Sequence, residues 1–549
     1  MRFVLCLFAA LLLAPAQEVS QSGLRIEAAR PMVSQPLRAQ RAMVASVHEL
    51  ATDAGLEILR QGGNAIDAAV AVGFVLGVVH PEAGNLGGSG YMLLRTTDGK
   101  VHAIDYAGTA PGSAKPGMFA NSMEANVGYK SIAVPGTPAG LGLAHDKFGR
   151  LKWAQCLEPA RRLAQKGFPA SMRMELILKL QVPVMKRYPE SARIFLHGID
   201  KPLKQGELVL QPELAATLKR MQKKGWREFY NGDTARLIAA DMAASGGHIT
   251  TQDMAGYEAK LLEPLQVKFR NHAIYTMPPS SSGGIALAVA LNVLDRYPVG
   301  LNMEGSAASR HLQIEALRRG FAARDRLMRE GLQHLPELLS NEYTERVSAT
   351  LTLDHATAAP PAAASSESND TTHFTIVDEK GNIVTNTYTL SGFYGSQVIA
   401  KGTGVLLNNH MSVFSNRPGS NNSIAPGKRY QSTMAPTIVM RPDGQPWVAL
   451  GTPGGATIPS TIALVIENMI DFKMSLRDAV EFPRLHLQNG RIESEPAALV
   501  FEVAEKLKSM GHQLNPRLRA QGDVSAIALE DGWRVGWADG RRGGIVRGY

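Results

Sequence analysis

Cysteine is nearly absent from this 549-residue chain, with Cys6 and Cys156 the two present. Cys6 falls within an N-terminal segment that reads as removable, so Cys156 is left alone and an intramolecular disulfide is excluded. Metal-ligand spacing is missing as well. His373, His410 and His486 form nothing like HExxH, and neither a metal nor another cofactor is expected. Charge is scarce too, with 19% charged residues and a net charge of +9. No dense block of Lys and Arg with interleaved aromatics occurs, which argues against nucleic-acid binding and leaves a solvated basic surface as the plainer reading. Beyond the N-terminus no run is apolar enough to span a bilayer, and no fixed-period repeat is found.

What is present describes a globular protein with a large core: 44% hydrophobic residues, 53 Gly and 31 Pro. Arg2, the apolar run 3–13 and Ala14-Pro15-Ala16 form a secretory signal with a small-x-small cleavage site. The run is too short for a comfortable span. Export without disulfides suits a periplasmic or secreted bacterial enzyme. Residues 17–40 read as a loosely held leader, 43–47 as a short strand and 48–59 as a helix. Asn64 caps a second helix, 65–79, with Asp67 three residues on. That helix is apolar nearly all round and should be buried. The glycine-rich loop 84–90 precedes a strand, which favours close backbone packing over phosphate binding. Residues 140–260 read as amphipathic helices, and strands return at 265–269 and 273–277. Ser280–Ser282 read as the cap of a helix over 285–294, and another helix covers 306–330.

The most informative stretch is Glu367-Ser368-Asn369-Asp370-Thr371-Thr372-His373-Phe374. An Ala/Ser/Pro-rich run, 356–366, precedes it and is too poor in large apolar residues to pack. Thr372, Phe374 and Ile376 then alternate with Thr371, His373 and Thr375, the pattern of a half-buried strand. The turn 378–382 and a second strand, 383–390, complete a hairpin. A slack segment running into a Thr at the start of a strand is what self-cleavage needs. The hydroxyl attacks the preceding carbonyl, the ester hydrolyses, and the freed amine becomes the base for that hydroxyl. Taken alone, a polar loop before a hairpin is the blander reading. Further on, Gly451-Thr452-Pro453-Gly454-Gly455 links a strand to a helix over 458–469, and such a turn aims backbone N–H groups outward as an oxyanion hole does.

Together these stretches resemble the γ-glutamyltransferase family of N-terminal-nucleophile hydrolases. The resemblance runs from about residue 41 to the C-terminus. It is carried by Gly63-Asn64-Ala65-Ile66-Asp67, Val134-Pro135-Gly136-Thr137-Pro138, Pro278-Pro279-Ser280-Ser281-Ser282-Gly283-Gly284 and Thr371-Thr372-His373-Phe374. Leu407-Asn408-Asn409, Met434-Ala435-Pro436-Thr437, Pro453-Gly454-Gly455, Pro483-Arg484-Leu485-His486 and Arg541-Arg542-Gly543-Gly544 complete it. Each motif is weak alone, but nine in family order are not chance. The resemblance implies a four-layer αββα sandwich made as a precursor and cut between Asp370 and Thr371. A signal peptide, 1–16, would precede a heavy chain, 17–370, and a light chain, 371–549, the last two forming one heterodimeric unit. It further implies Thr371 as nucleophile and Thr389 as the second threonine that holds its amine and hydroxyl. Gly454 and Gly455 stand at the oxyanion-hole glycines, and Ser432 and Thr433 stand where a serine pair binds the substrate's α-carboxylate.

The chain departs from the family where the amino-acid end of a γ-glutamyl group is gripped. Asp105-Tyr106 is followed by Ala107, where glutathione-using members carry Arg. Val413 stands where they carry the Asp that binds the ammonium, and Ser391 replaces an Asn. The segment 414–432 is short beside members with a long active-site lid. A charge-assisted hydrogen bond contributes roughly 1.5–3 kcal/mol, so losing both charges should weaken a zwitterionic glutamyl group by orders of magnitude. His410 is the one residue nearby that offers partial compensation, though a turn histidine is ordinarily solvated. Two substrate classes therefore stay open: a small γ-glutamyl compound in a rearranged pocket, or another acyl amide such as a glutaryl side chain. The departures favour the second. An exported binding protein that kept the fold without catalysis is the alternative of another class.

Overall fold

The computed structural model describes residues 35–198, 200–358, 370–488, 490–518 and 520–549. The signal expected at 1–16 and most of the slack run before Thr371 lie outside the described residues. Residues 36–549 form one compact unit.

Two seven-stranded sheets face each other. The first runs Ile545–Gly548, Met43–Ser46, Asp370–Val377, Ile383–Ser391, Ser89–Arg95, Val101–Tyr106, Lys260–Leu262, every pair antiparallel. The second runs Leu37–Ala39, Trp533–Ala538, Ser525–Glu530, Pro446–Gly451, Thr437–Met440, His272–Thr276, Leu265–Phe269. Helices Glu49–Arg60 and Ala65–Val79 cover the outer face of the first sheet in one hydrophobic core. Gly283–Leu294, Ala307–Glu330 and Ile458–Ile470 cover the second in another. This is the αββα sandwich that the sequence implies.

Local chemistry sets these elements. Asn64 and Asp67 form a reciprocal capping box on helix Ala65–Val79. The Asp67 carboxylate also accepts from the backbone N–H groups of Arg150 and Leu151. Asp67, His145 and Cys156 bring ligand-type atoms within 4.8 Å of one another, but those backbone donors already occupy the carboxylate. Burial, with Asp67 alongside, raises the Cys156 thiol's pKa. The loop 84–90 packs backbone on backbone, as a Cβ on Gly88 would collide with the Thr389 carbonyl.

Several expectations need correction. Leu37–Ala39 is an edge strand paired with Trp533–Ala538, so the leader is not loose to residue 40. Asp370–Val377 is buried on both faces beyond its first residue, not on one, because the second sheet lies over the face that carries Thr371, His373 and Thr375. Ser282 stands at the N-cap of the following helix but its hydroxyl, like that of Ser281, donates to the Ser432 carbonyl, and it is Ser281 Oγ that accepts from the Gly283 N–H at 3.4 Å. Ala356 and Thr357, at the start of the slack run, are tied down by Met510 O and the Glu315 carboxylate.

Candidate active site

Thr371 pairs across the hairpin with Thr389, and the ladder is irregular between Asp370 and Thr371. The Asp370 carbonyl accepts a 2.6 Å hydrogen bond from Thr389 Oγ1, which itself accepts from the Ser391 N–H at 2.8 Å. One hydroxyl is thus oriented by the backbone and aimed at the carbonyl that a Thr371 attack would have to polarise. The Asp370 carboxylate accepts from the Phe393 N–H at 3.1 Å. Ser391 adopts φ +83, a left-handed conformation that a non-glycine residue occupies at a cost of about 1–3 kcal/mol. Such strain is concentrated at functional sites.

A small pocket, partly open to solvent, lies over this hairpin. Its walls include Thr371, Thr389, Ser391, His410, Ser432, Thr433 and Gly455, so seven of the expected site residues share one cavity. Gly454 backs against Gly522 just behind it. The turn's positive φ angles, +139 at Gly454 and +58 at Gly455, are what L side chains resist. The Gly455 carbonyl is held by Thr433 Oγ1 at 2.8 Å, while Thr457 secures the Gly454 carbonyl. These anchors fix the peptide planes whose N–H groups precede helix Ile458–Ile470. Ser432 Oγ accepts from the Met434 N–H, and its carbonyl takes the two serine hydroxyls of 281 and 282. Thr433 has its hydroxyl committed to Gly455, leaving Ser432 as the better placed of the pair.

Tyr430, Gln431, Val413, Met434 and Ile458 also line the pocket. Tyr430 and Gln431 escaped the sequence reading, although they directly precede the Ser432-Thr433 pair. Among the described residues that line it, none carries a fixed charge. His410, named above as a partial replacement for the missing charges although a turn histidine is ordinarily solvated, is fully buried. Its ring stacks on Tyr430 with centroids 4.4 Å apart, Nδ1 lies 3.4 Å from Ser89 Oγ, and Nε2 has no partner among the described residues. Burial lowers its pKa to about 3, so it is neutral near pH 7.

Beside Ala107, where the family arginine is missing, lies Arg429. Its guanidinium donates to the Ala107 carbonyl at 2.9 Å and to Asp105 at 3.3 Å. The segment bearing it pairs in turn with residues 108–110.

The sequence model of the gamma-glutamyltranspeptidase family matches residues 51–549. A glutathione hydrolase proenzyme of Pseudomonas aeruginosa is 39% identical over 513 residues, covering 89% of this chain and 91% of its own. An acylase ACY 1 proenzyme of a Pseudomonas species (strain V22) is 36% identical over 525 residues, covering 93% and 94%. Among solved structures, a cephalosporin acylase from Bacillus halodurans superposes with a TM-score of 0.86 at 27% identity, covering 96% of this chain and 99% of that one.

Proposed function

We propose that this chain, which belongs to the γ-glutamyltranspeptidase family of autoprocessing enzymes, forms an acyl ester on Thr371 from an amide whose acyl group is not a zwitterionic glutamyl. Maturation comes first. Thr371 Oγ1 attacks the Asp370 carbonyl carbon, which Thr389 polarises, and the peptide shifts from nitrogen to oxygen. That shift breaks the C–N bond and leaves the Thr371 α-amine free, with the hydroxyl proton passed to it; water then cleaves the ester, releasing the Asp370 carboxylate and restoring the Thr371 hydroxyl. In the mature site the amine takes the Thr371 hydroxyl proton as the oxygen attacks the substrate carbonyl. The backbone N–H groups of Gly454 and Gly455 hold the oxyanion, and the amine returns the proton to the leaving nitrogen. Water or a second amine receives the acyl group. The heavy chain would end at Asp370 and the light chain begin at Thr371, with residues 1–16 removed on export to the periplasm or beyond. Among the described residues no helix is long and apolar enough to cross a membrane.

The uncharged pocket lining supports the acyl assignment most directly. An ammonium and a carboxylate transferred there lose hydration without meeting opposite charges, which disfavours them strongly. A dicarboxylic acid monoamide, such as a glutaryl side chain, keeps one carboxylate for the hydroxyls of Ser432 and Ser391 and for His410 Nε2. The likeness to acylases as well as to glutathione hydrolases agrees with this reading. One observation favours the γ-glutamyl alternative: Arg429 brings a guanidinium beside Ala107, although Asp105 already pairs with it. The deciding measurement compares anilide release from γ-glutamyl and glutaryl anilides, with Thr371→Ala as the blank. A glutaryl preference is expected; a strong glutamyl preference refutes the assignment.

A further inference from the structure

Between the two sheets, where apolar side chains are the rule, the hairpin presents a column of polar ones. Thr371 pairs with Thr389, His373 with Thr387, and Thr375 with Thr385. The imidazole sits in the middle, 1% exposed. Its Nε2 lies 3.0 Å from Thr375 Oγ1 and 3.1 Å from Thr385 Oγ1, and its Nδ1 lies 2.8 Å from Thr387 Oγ1. Thr375 donates to the Ser525 carbonyl and Thr385 to the Leu450 carbonyl, both in the opposite sheet. Their hydroxyl protons are therefore spent, so both accept from Nε2–H and Thr387 donates to Nδ1. This fixes one tautomer of a neutral ring.

Directly over the ring is Gly451, the last residue of strand Pro446–Gly451. A Cβ there would stand 2.6 Å from Nδ1, 2.7 Å from Nε2 and closer still to Cε1. Gly451 is four residues before Gly455, and His373 is two after Thr371 on the same face. The contact thus joins the strand of the nucleophile to the strand that ends in the oxyanion turn.

We propose that His373 is a positioning residue for acyl transfer: pressed into the notch left by Gly451 and bridged by Thr375 and Thr385 to the facing sheet, it sets the distance between Thr371 and the Gly454–Gly455 turn. This rests on the assignment of Thr371 and Gly455 made above. The ring does not exchange protons with substrate; its part is steric and directional.

The experiment is a double-mutant cycle with Gly451→Ala, His373→Ala and the pair, read by kcat, KM and the rate of self-cleavage. A misplacement of about 1 Å costs on the order of 100-fold in rate, so Gly451→Ala is expected to lower kcat about 100-fold while KM moves less than about twofold. In the His373→Ala background, where the notch is empty, the same change should cost less than about threefold. Losses that multiply independently, or a Gly451→Ala enzyme with ordinary kcat, overturn the proposal. Should Gly451→Ala yield no soluble protein, His373→Gln and His373→Leu decide. Gln keeps a donor and an acceptor and should retain at least about a tenth of kcat with an unchanged pH profile, whereas Leu should lose about 100-fold. Equal losses, or a pH limb lost in the Gln variant, refute it. A Thr371→Ala protein that still turns over would instead sink the underlying nucleophile assignment, whatever the cycle shows.

Discussion

His373 and His410 are buried to the same degree, and burial holds both pKa values near 3. Around His373 every polar atom is answered, and the opposing sheet supplies the final acceptors. Around His410 the ring has a stacked tyrosine, one long contact to Ser89, and an Nε2 that meets no partner among the described residues. A saturated group fixes a structure, because moving it would strand several buried partners. An unsaturated one holds recognition in reserve, because a ligand atom that meets Nε2 relieves an existing penalty. The seam beneath the proposed nucleophile and the wall of the proposed acyl pocket thus use the same side chain for opposite ends.

The sharpest break in this contrast is at the nucleophile. Thr371→Ala should abolish self-cleavage and all turnover, leaving one band on a denaturing gel and anilide release at the blank. Next comes Thr389→Ala, which removes the donor to the Asp370 carbonyl. Loss of one such donor costs on the order of 3 kcal/mol, so self-cleavage followed by densitometry should slow about 100-fold. On the wall, Val413→Asp should raise the γ-glutamyl over glutaryl ratio of kcat/KM about tenfold, since a charge-assisted contact adds roughly 1.5–3 kcal/mol before desolvation is subtracted. An unchanged ratio would mean that Val413 does not face the acyl group.

The smallest effect is on stability. Both histidines bind protons more weakly folded than unfolded, so their contribution is complete above the unfolded pKa of about 6.5 and is lost as pH falls from there toward 3. Each should add a slope of about 1.4 kcal/mol per pH unit within that window. Denaturant midpoints of Thr371→Ala precursor from pH 7 to pH 5 should fall accordingly. Adding His410→Gln should flatten the slope by one histidine's share.

The hairpin, the capped helix 65–79 and the strand-to-helix turn at Gly451–Gly455 were legible because each is local: alternation, a cap three residues from its acid, glycines where φ turns positive. The second face of the hairpin was not legible. Thr371, His373 and Thr375 look like a solvent face, and only carbonyls at Leu450 and Ser525, far along the chain, make that face an interior. Arg429 and Asp105 are 324 residues apart, and no periodicity links them. The burial of His410 was not legible for a related reason: a turn is exposed only until another segment, here the one ending in Tyr430, closes over it. The reading as a binding protein without catalysis falls with the family membership, since the relatives named above are enzymes.

Strands from before and after Thr371 are intermingled in both sheets. Asp370–Val377 lies against Met43–Ser46, Ile383–Ser391 against Ser89–Arg95, and the C-terminal Ile545–Gly548 closes the far edge of Met43–Ser46. In the facing sheet His272–Thr276 lies against Thr437–Met440 and Leu37–Ala39 against Trp533–Ala538. The proposed cut before Thr371 would therefore yield two polypeptides with no separable interface between them. Parting them means unzipping both sheets, so for the matured protein dissociation and denaturation are one event, and dilution alone should never release a subunit.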